Sequence, residues 1–221
     1  MLYIVSTPIG NLKDITQRAL EILKSVDIIF AESPTDSMRL LNAYEIKGKK
    51  IYKYNDRNKK GVEKNIVEIL QEKEVAYISS AGTPGISDPG EDLVKIAREN
   101  DIKVNVIPGA SALVSAIAGS GLRSREFTFI SFSPKKSGQL KNLFKKYQEL
   151  KTTLVFFESP YRVVKTLEYL NEICPDSQVC VAKEITKMFE NYFVGNPEQV
   201  LLEMAKSQKN LKGEFVIVIQ F

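Results

Sequence analysis

Residues 75–90 read VAYISSAGTPGISDPG, a predicted strand that runs directly into the densest cluster of turn-forming residues in the chain. Residues 75–80 are mainly apolar, as is typical of strands. The glycines and prolines of residues 81–90 end that strand in a loop, and a helix is expected at residues 91–100. Ligands of open α/β sheets bind at such loops, outside the carboxyl ends of the strands. The stretch therefore predicts an α/β sheet with a ligand-binding loop.

Strands and helices alternate towards both ends of the chain, which predicts α/β layers. Gly119, Gly121 and three charged residues interrupt the alternation, so we expect an N-terminal α/β domain at residues 1–118 and a C-terminal α/β domain at residues 122–221. The small residues of the helix just before this boundary predict close packing against another surface. Strands are expected at residues 2–6, 27–32, 50–54, 75–80, 103–107, 127–132, 153–157, 178–183, 189–194 and 214–221.

The composition is that of an ordinary globular protein, and it excludes several classes of catalyst. Of the 221 residues, 43% are hydrophobic and 26% are charged, which argues against disorder. There is no histidine, which excludes Ser-His-Asp and Cys-His nucleophile pairs and HExxH zinc sites. Any general base must then be a carboxylate, a lysine, a tyrosine or a water. Cys174 and Cys180 fit neither a CxxC redox site nor a zinc knuckle, so no metal site is expected.

The charge balance is mildly basic and permits a nucleic-acid partner without requiring one. The formal net charge is +4 and the isoelectric point is near 8.8, so neither number decides the partner. The lysines and arginines are clustered, and each cluster taken alone is also compatible with an ordinary solvated face. The clusters lie at residues 47–53, 57–60, 135–136 and 141–146.

The chain carries neither a membrane-spanning nor a secretory pattern. No uncharged apolar run approaches the roughly 20 residues that cross a bilayer. The N-terminus MLYIVSTPIGN lacks the basic segment of a signal peptide. A cytoplasmic protein is therefore expected.

Four loops at the expected carboxyl ends of strands are rich in glycine, proline and hydroxyl residues. They lie at residues 6–11, 81–90, 108–111 and 158–162. Each one alone is compatible with an ordinary tight connection, whereas four together favour a ligand site. No GxxxxGK[ST] motif is present, and the pair Gly119 and Gly121 comes late in a helix, so P-loop and Rossmann dinucleotide sites are poor interpretations.

Six segments in this order resemble the tetrapyrrole-methylase-like superfamily and, within it, the ribosomal RNA small subunit methyltransferase I family. They read LYIVSTPIGNLKDITQRALEIL, SSAGTPGISDPG, VIPGASALVSAIAGSGL, FFESPYRV, KEITKMFE and KGEFVIVI. The resemblance covers essentially the whole chain. It implies two α/β domains of the tetrapyrrole methylase type with the cofactor cleft between them, a homodimer, and S-adenosylmethionine as cofactor. The implied reaction is methylation of the ribose 2′-hydroxyl of a cytidine in 16S rRNA within the small ribosomal subunit.

The resemblance also implies the residues of the site. Their roles are cofactor binding, catalysis as general base and substrate binding, and each base candidate has a structural salt bridge as its alternative. The expected cofactor contacts are Ile9, Ser80, Thr83, Ile86, Ser111, Ala112, Phe157, Ala182 and Phe215. The expected catalytic residues are Glu32, Asp56, Glu184 and Lys187, and the expected substrate contacts are Arg57, Asn58, Glu158, Arg162 and Lys183.

Several segments depart from the family pattern. Where the family reads AEDTR, residues 31–35 read AESPT, and Ser80 replaces an aspartate. Asn55 and Arg57 replace histidines, and Lys183 replaces an arginine. Most of these changes fall on segments assigned to the substrate. Two other functions therefore stay open: methylation of a tetrapyrrole or other small molecule, and RNA binding without catalysis. The basic clusters argue against a small substrate, which needs no extended basic surface.

Overall fold

The chain divides into two compact units, Met1–Ser111 and Ala112–Phe221. The computed structural model describes residues 1–55, 59–88 and 90–221, with residues 59–64 described by their backbone alone. All ten expected strands are present, and their ends lie within two residues of the expected bounds. The α/β class is thereby confirmed for both units.

The N-terminal unit is built on a five-stranded sheet in which all strands are parallel, in the order β3-β2-β4-β1-β5. Every residue of β1, β2 and β4 is buried, as is typical of a parallel sheet covered on both faces. The strands are β1 (Leu2–Val5), β2 (Ile28–Ala31), β3 (Lys50–Lys53), β4 (Val75–Ile78) and β5 (Val104–Ile107). The helices are α1 (Gln17–Ser25), α2 (Pro34–Ala43), α3 (Lys59–Glu72) and α4 (Gly90–Glu99).

The helices of this unit cover opposite faces of its sheet. Leu23 of α1 and Leu41 of α2 pack with Ile29 in one apolar core. Leu93 of α4 packs with Tyr77 in the other core, together with residues of α3. The chain therefore leaves β1 towards one face and leaves the adjacent strand β4 towards the other. This is a topological switch point, where α/β sheets bind ligands.

The C-terminal unit has a mixed five-stranded sheet in the order β6-β7-β10-β8-β9. Strands β6 and β7 are parallel, and every other neighbouring pair is antiparallel. The strands are β6 (Phe127–Phe132), β7 (Thr153–Glu158), β8 (Gln178–Lys183), β9 (Asn191–Gly195) and β10 (Phe215–Gln220). The helices are α5 (Ala112–Ser120), α6 (Ser137–Leu150), α7 (Val163–Ile173) and α8 (Pro197–Ala205).

Helices α6, α7 and α8 cover one face of the mixed sheet through Phe144, Leu167 and Met204. Helix α5 packs on the other face, where a β-carbon at Gly119 would overlap the ring of Tyr192. The sequence places the domain boundary after this helix, whereas the structure groups the helix with the C-terminal unit. The reason is this contact with the C-terminal sheet, which the small residues of the helix permit. Within the described ranges, no helix is long and apolar enough to cross a membrane.

Candidate functional site

The switch point of the N-terminal sheet is closed by two loops that hydrogen-bond to each other. The Thr7 N–H donates to the Gly82 carbonyl at 2.9 Å, and the Gly82 N–H donates to the Thr7 carbonyl at 3.1 Å. The Ser6 hydroxyl donates to Oγ1 of Thr83 at 3.0 Å. The loops that follow β1 and β4 are therefore joined where a ligand of this sheet would bind.

A third loop, after β5, is joined to the same point. The Thr83 hydroxyl donates to the Ala110 carbonyl at 3.3 Å. A β-carbon at Gly109 would lie 2.8 Å from Cβ of Ser6, so this position requires glycine. The structure thus brings together three of the four loops that the sequence singled out. Gly109 permits the loop after β5 to approach the loop after β1 closely.

The cofactor contacts expected in the N-terminal unit differ in accessibility. Ser80 and Ile86 are exposed, Thr83 and Ser111 are half-buried, and Ile9 is buried. The exposed and half-buried side chains border the joined loops with hydroxyl and apolar groups. These uncharged side chains, beside the Glu32 carboxylate that Ser80 holds, suit a ligand that carries a sulfonium, an ammonium and a carboxylate together.

Thr7 is a polar residue of this site that sequence reasoning missed. The residue is 3% exposed, and among the described residues no hydrogen-bond partner lies in reach of its buried Oγ1. A buried hydroxyl without a partner costs free energy, which is unusual in a native structure. The loop at residues 6–11 was singled out from the sequence, but the burial of this hydroxyl depends on the backbone pairing of Thr7 with Gly82, which the fold supplies.

Glu32, an expected general base, is held by the residue that replaces the family's aspartate. The backbone N–H and the hydroxyl of Ser80 both donate to Oε2 of Glu32 at 2.9 Å. Glu32 follows β2 and Ser80 lies just beyond β4, and these strands are neighbours. The carboxylate is thereby fixed at the carboxyl edge of the parallel sheet.

Asp88 holds the loop that bears Ile86. Its carboxylate accepts from the Gly85 N–H at 2.9 Å and from the Gly90 N–H at 2.8 Å. Burial raises the pKa of Asp88, against the lowering effect of these backbone hydrogen bonds. Ser87 has a φ of 72°, a strained conformation for a non-glycine residue. Asp88 is thus a positioning residue that the sequence analysis did not assign.

The cofactor contacts expected in the C-terminal unit lie on two different faces of its sheet. Phe157 and Ala182 both pair with Val216 of β10, so their side chains share the face covered by α5. Phe157 is half-buried and Ala182 is fully buried. Phe215 is one residue earlier on β10, and its side chain packs in the core under α6, α7 and α8. Ala112, at the start of α5, is half-buried.

Glu158, an expected substrate contact, is almost fully buried and surrounded by donors. Oε2 accepts from the hydroxyl of Ser133 at 2.5 Å and from the hydroxyl of Thr166 at 2.7 Å. Oε1 accepts from the Ser159 N–H at 2.7 Å and pairs with Nε of Arg162 at 3.1 Å. Arg162 also donates to the backbone carbonyls of Ser133 and Pro134. This network fixes the loop after β7 to the loop after β6.

Glu184 and Lys187 form an ion cluster with Glu214. Nζ of Lys187 lies 3.0 Å from Oε1 of Glu184 and 2.8 Å from Oε2 of Glu214. Burial raises the pKa of Glu184, but hydrogen bonds from the Glu214 N–H and from Lys187 outweigh it and lower the pKa. Burial likewise lowers the pKa of Lys187, but the hydrogen bonds to Glu214 and Glu184 outweigh it and raise the pKa. Both groups are therefore charged at neutral pH.

Of the remaining expected site residues, the structure describes only Lys183. Lys183 is buried, and its Nζ donates to the Phe189 carbonyl at 3.2 Å. Asp56, Arg57 and Asn58 lie outside the described residues.

Comparisons with known proteins cover nearly the whole chain. Residues 1–201 match the family model described as Tetrapyrrole (Corrin/Porphyrin) Methylases. A protein of Hydrogenobaculum sp. named ribosomal RNA small subunit methyltransferase I is 42% identical over 99% of this chain and 94% of its own. A protein of Thermotoga maritima with the same name is 42% identical over 99% of this chain and 97% of its own.

Solved structures share the fold at low sequence identity. Diphthine synthase superposes with a TM-score of 0.75 at 16% identity, covering 99% of this chain and 89% of its own. The methyltransferase CobJ superposes with a TM-score of 0.68 at 17% identity, covering 99% of this chain and 93% of its own. At these identities the likeness concerns the fold alone.

Proposed function

The chain belongs to the tetrapyrrole (corrin/porphyrin) methylase family, and on that premise we propose that it methylates the ribose 2′-hydroxyl of a cytidine in 16S rRNA of the small ribosomal subunit. It is a methyltransferase, and its methyl donor is S-adenosylmethionine. The observation that carries the proposal is the full-length similarity to relatives named for methylation of small-subunit ribosomal RNA. The basic clusters of the chain suit such an anionic substrate.

The neutral loops at the switch point fit the cofactor. Within the N-terminal unit, we assign its contacts to Ile9, Ser80, Thr83, Ile86 and Ser111. The buried hydroxyl of Thr7, which lacks a partner among the described residues, marks a polar position beside them. Within the C-terminal unit, the proposed contacts are Ala112, Phe157 and Ala182, and Phe215 contributes through its backbone because its side chain packs in the core.

When bound, S-adenosylmethionine supplies a methyl group made electrophilic by its positive sulfur. The protein must hold the attacking ribose oxygen in line with that methyl group and accept the proton of the hydroxyl. Alignment contributes about 7–11 kcal/mol in favourable systems, and a positioned base contributes about 10²–10⁴-fold.

Among the proposed bases, Glu32 is favoured. Hydroxyl and amide donors of Ser80 orient its carboxylate. Glu184 is a weak base because its pKa is lowered, and Lys187 remains protonated because its pKa is raised. We therefore assign these two residues to holding their loop. Asp56 stays a second candidate for the base.

The proposed substrate contacts combine fixed and accessible groups. Glu158 acts through Arg162, which it orients, and the partly exposed guanidinium of Arg162 is the proposed phosphate contact. Lys183 is proposed to hold the loop after β8 in place, through the hydrogen bond that its Nζ donates to the Phe189 carbonyl. Arg57 and Asn58 remain proposed contacts with the RNA.

We further propose that the protein is a homodimer and acts in the cytoplasm. The homodimer follows from the family resemblance, and the ribosomal relatives support the cytoplasmic location. Sedimentation of the purified chain between about 1 and 100 µM tests the first: a single monomeric species over that range would contradict it.

Transfer of a labelled methyl group tests the function. The purified chain is incubated with labelled S-adenosylmethionine and either small subunits from cells that lack this modification, a free cytidine oligomer or a porphyrinoid. The proposal predicts label in the subunits, at a rate that falls as salt rises. Equal transfer to the oligomer, or transfer to the porphyrinoid alone, would contradict it. Cofactor and RNA binding without transfer would identify a non-catalytic relative.

A further inference from the structure

One edge of the C-terminal sheet collects the ends of three strands. Strands β7 and β8 are both antiparallel to β10, so they run in the same direction as each other, and β6 is parallel to β7. Their last residues, Phe132, Glu158 and Lys183, therefore lie along one edge. The sheet order separates the ends of β6 and β8 by three strand spacings, about 15 Å.

Large apolar side chains are exposed to solvent along this edge. Tyr161 is 96% exposed, Met188 is 90% exposed, and Phe132 and Phe189 are each 61% exposed. We call these four residues the edge cluster. The other exposed aromatic residues of the described ranges, Tyr52 and Phe127, are only 44% and 43% exposed. Exposed apolar surface of this kind marks interaction sites.

The backbone beneath the edge cluster is held in place. The Tyr161 N–H donates to Oγ of Ser159 at 3.3 Å, within the loop fixed by Glu158. Lys183 donates to the Phe189 carbonyl, and its Nζ lies 5.8 Å from the centre of the Phe189 ring. Side chains presented from fixed backbone bind at a lower cost in entropy.

The charge of this edge is positive. The acids at residues 158–162, 183–190 and 212–214 are matched by equal numbers of lysines and arginines within each segment. Lys135 and Lys136, which are exposed and follow Phe132, come in addition to these balanced segments. They give the edge its net positive charge. Aromatic faces next to unneutralised cations favour unpaired nucleotides, whose bases stack and whose phosphates are anionic. A second copy of the chain, which would bring these same cations, is disfavoured in a symmetric contact.

We propose that the edge cluster binds unpaired nucleotides of the substrate RNA by stacking bases on Tyr161 and Phe189, with Lys135 and Lys136 against the adjoining phosphates. The inference rests on the proposed function, because it assigns a surface to the RNA that is methylated. Phe132 contacts the ring of Phe157, a proposed cofactor contact, and is therefore not varied. The varied residues of this edge lie outside the proposed cofactor and proton-transfer contacts, so the inference predicts weaker substrate binding with an unchanged cofactor affinity.

The test compares matched variants on small subunits that lack the modification. Tyr161→Ala and Phe189→Leu remove a stacking face, whereas Tyr161→Phe keeps it. Phe127→Leu removes a partly exposed ring at the opposite edge of the same sheet and is the control. We expect KM for subunits to rise about 5-fold or more for each lost stack. Both controls and the affinity for S-adenosylmethionine, measured by calorimetry, stay at the wild-type value.

The lysines are tested by the dependence of binding on salt. Replacing both Lys135 and Lys136 by glutamine should reduce the slope of log K against log salt by about 0.7 for each phosphate contact on a single strand. Lys103→Gln, an exposed lysine just before β5 in the N-terminal unit, should leave the slope unchanged.

The outcomes separate this inference from the proposed function. If the wild-type chain transfers no methyl group to subunits, the proposed function fails and the inference fails with it. If the wild type is active and Tyr161→Ala and Phe189→Leu keep its KM, the inference alone is overturned. A change in sedimentation from dimer to monomer in these variants, with KM unchanged, would assign the edge cluster to a second copy and would also overturn it.

Discussion

Gly213 approaches Glu184 so closely that a β-carbon at position 213 would lie 2.6 Å from Cγ of Glu184. Gly213 also has a φ of 111°, a conformation that side chains rarely adopt. The turn before β10 and the loop after β8 thus depend on each other, and the ion cluster of Glu184, Lys187 and Glu214 forms across this contact.

Gly213→Ala should therefore destabilise the protein. We expect a loss of roughly 1–3 kcal/mol in the free energy of unfolding, from backbone strain together with the overlap with Glu184. Urea unfolding measures it. Gly121→Ala is the matched control, because Gly121 also has a positive φ, of 68°, but has no atom within 4 Å of the added methyl. Equal losses in the two variants would contradict a role for the contact.

Glu158→Ala should be among the most destabilising single changes in the C-terminal unit. It removes a buried carboxylate that accepts hydrogen bonds from Ser133 and Thr166, and it leaves the Arg162 guanidinium without its partner. We expect a loss of roughly 3–5 kcal/mol. Glu172→Ala, which breaks an exposed pair with Lys141 at 2.6 Å, should cost less than about 1 kcal/mol. Similar losses for both variants in urea unfolding would contradict the burial argument.

The ion cluster should make the stability of the protein depend on pH. Because the folded pKa of Glu184 is lowered below its ordinary value of 4.5, its stabilising contribution is complete above that pH and is lost as the pH falls through the folded pKa. The difference in unfolding free energy between wild type and Glu184→Gln should thus shrink from pH 7 to pH 3. A difference that stays constant over this interval would contradict the lowered pKa.

Glu32→Gln tests the proposed base. The amide keeps the shape of the side chain but cannot accept the proton, so the rate of methyl transfer should fall about 10²–10⁴-fold. Calorimetry should give a wild-type affinity for S-adenosylmethionine. Glu184→Gln, at a weak base, is the comparison and should retain much more of the rate. A reversed order of the two variants would transfer the role to Glu184.

Local patterns were sufficient to predict the elements of the fold. Apolar runs and turn residues predicted each strand, because strand formation in a buried sheet depends mainly on these residues. The glycine, proline and hydroxyl residues also singled out the loops at residues 6–11, 81–90 and 108–111, whereas their contacts with one another depend on the parallel strand order β4-β1-β5. The small residues of α5 predicted its close packing, although not that its partner is Tyr192 of the C-terminal sheet.

The roles of individual charged residues were not predictable from the sequence. Glu158 and Arg162 form a mostly buried network with Ser133, and that pairing depends on the register between β6 and β7. Side chains alternate along β10, so Phe215 faces α6, α7 and α8 while Val216 faces α5. A shift of the strand by one residue would exchange the two side chains. The buried hydroxyl of Thr7 depends in the same way on tertiary contacts.

The identity of the methylated nucleoside decides whether the chain carries out the proposed reaction. Small subunits that lack the modification are incubated with the chain and labelled S-adenosylmethionine, and their RNA is digested to nucleosides for mass spectrometry. We expect label in 2′-O-methylcytidine, approaching one methyl group per 16S rRNA. Label in a base, in another nucleoside or in no nucleoside, while S-adenosylmethionine still binds, would contradict it.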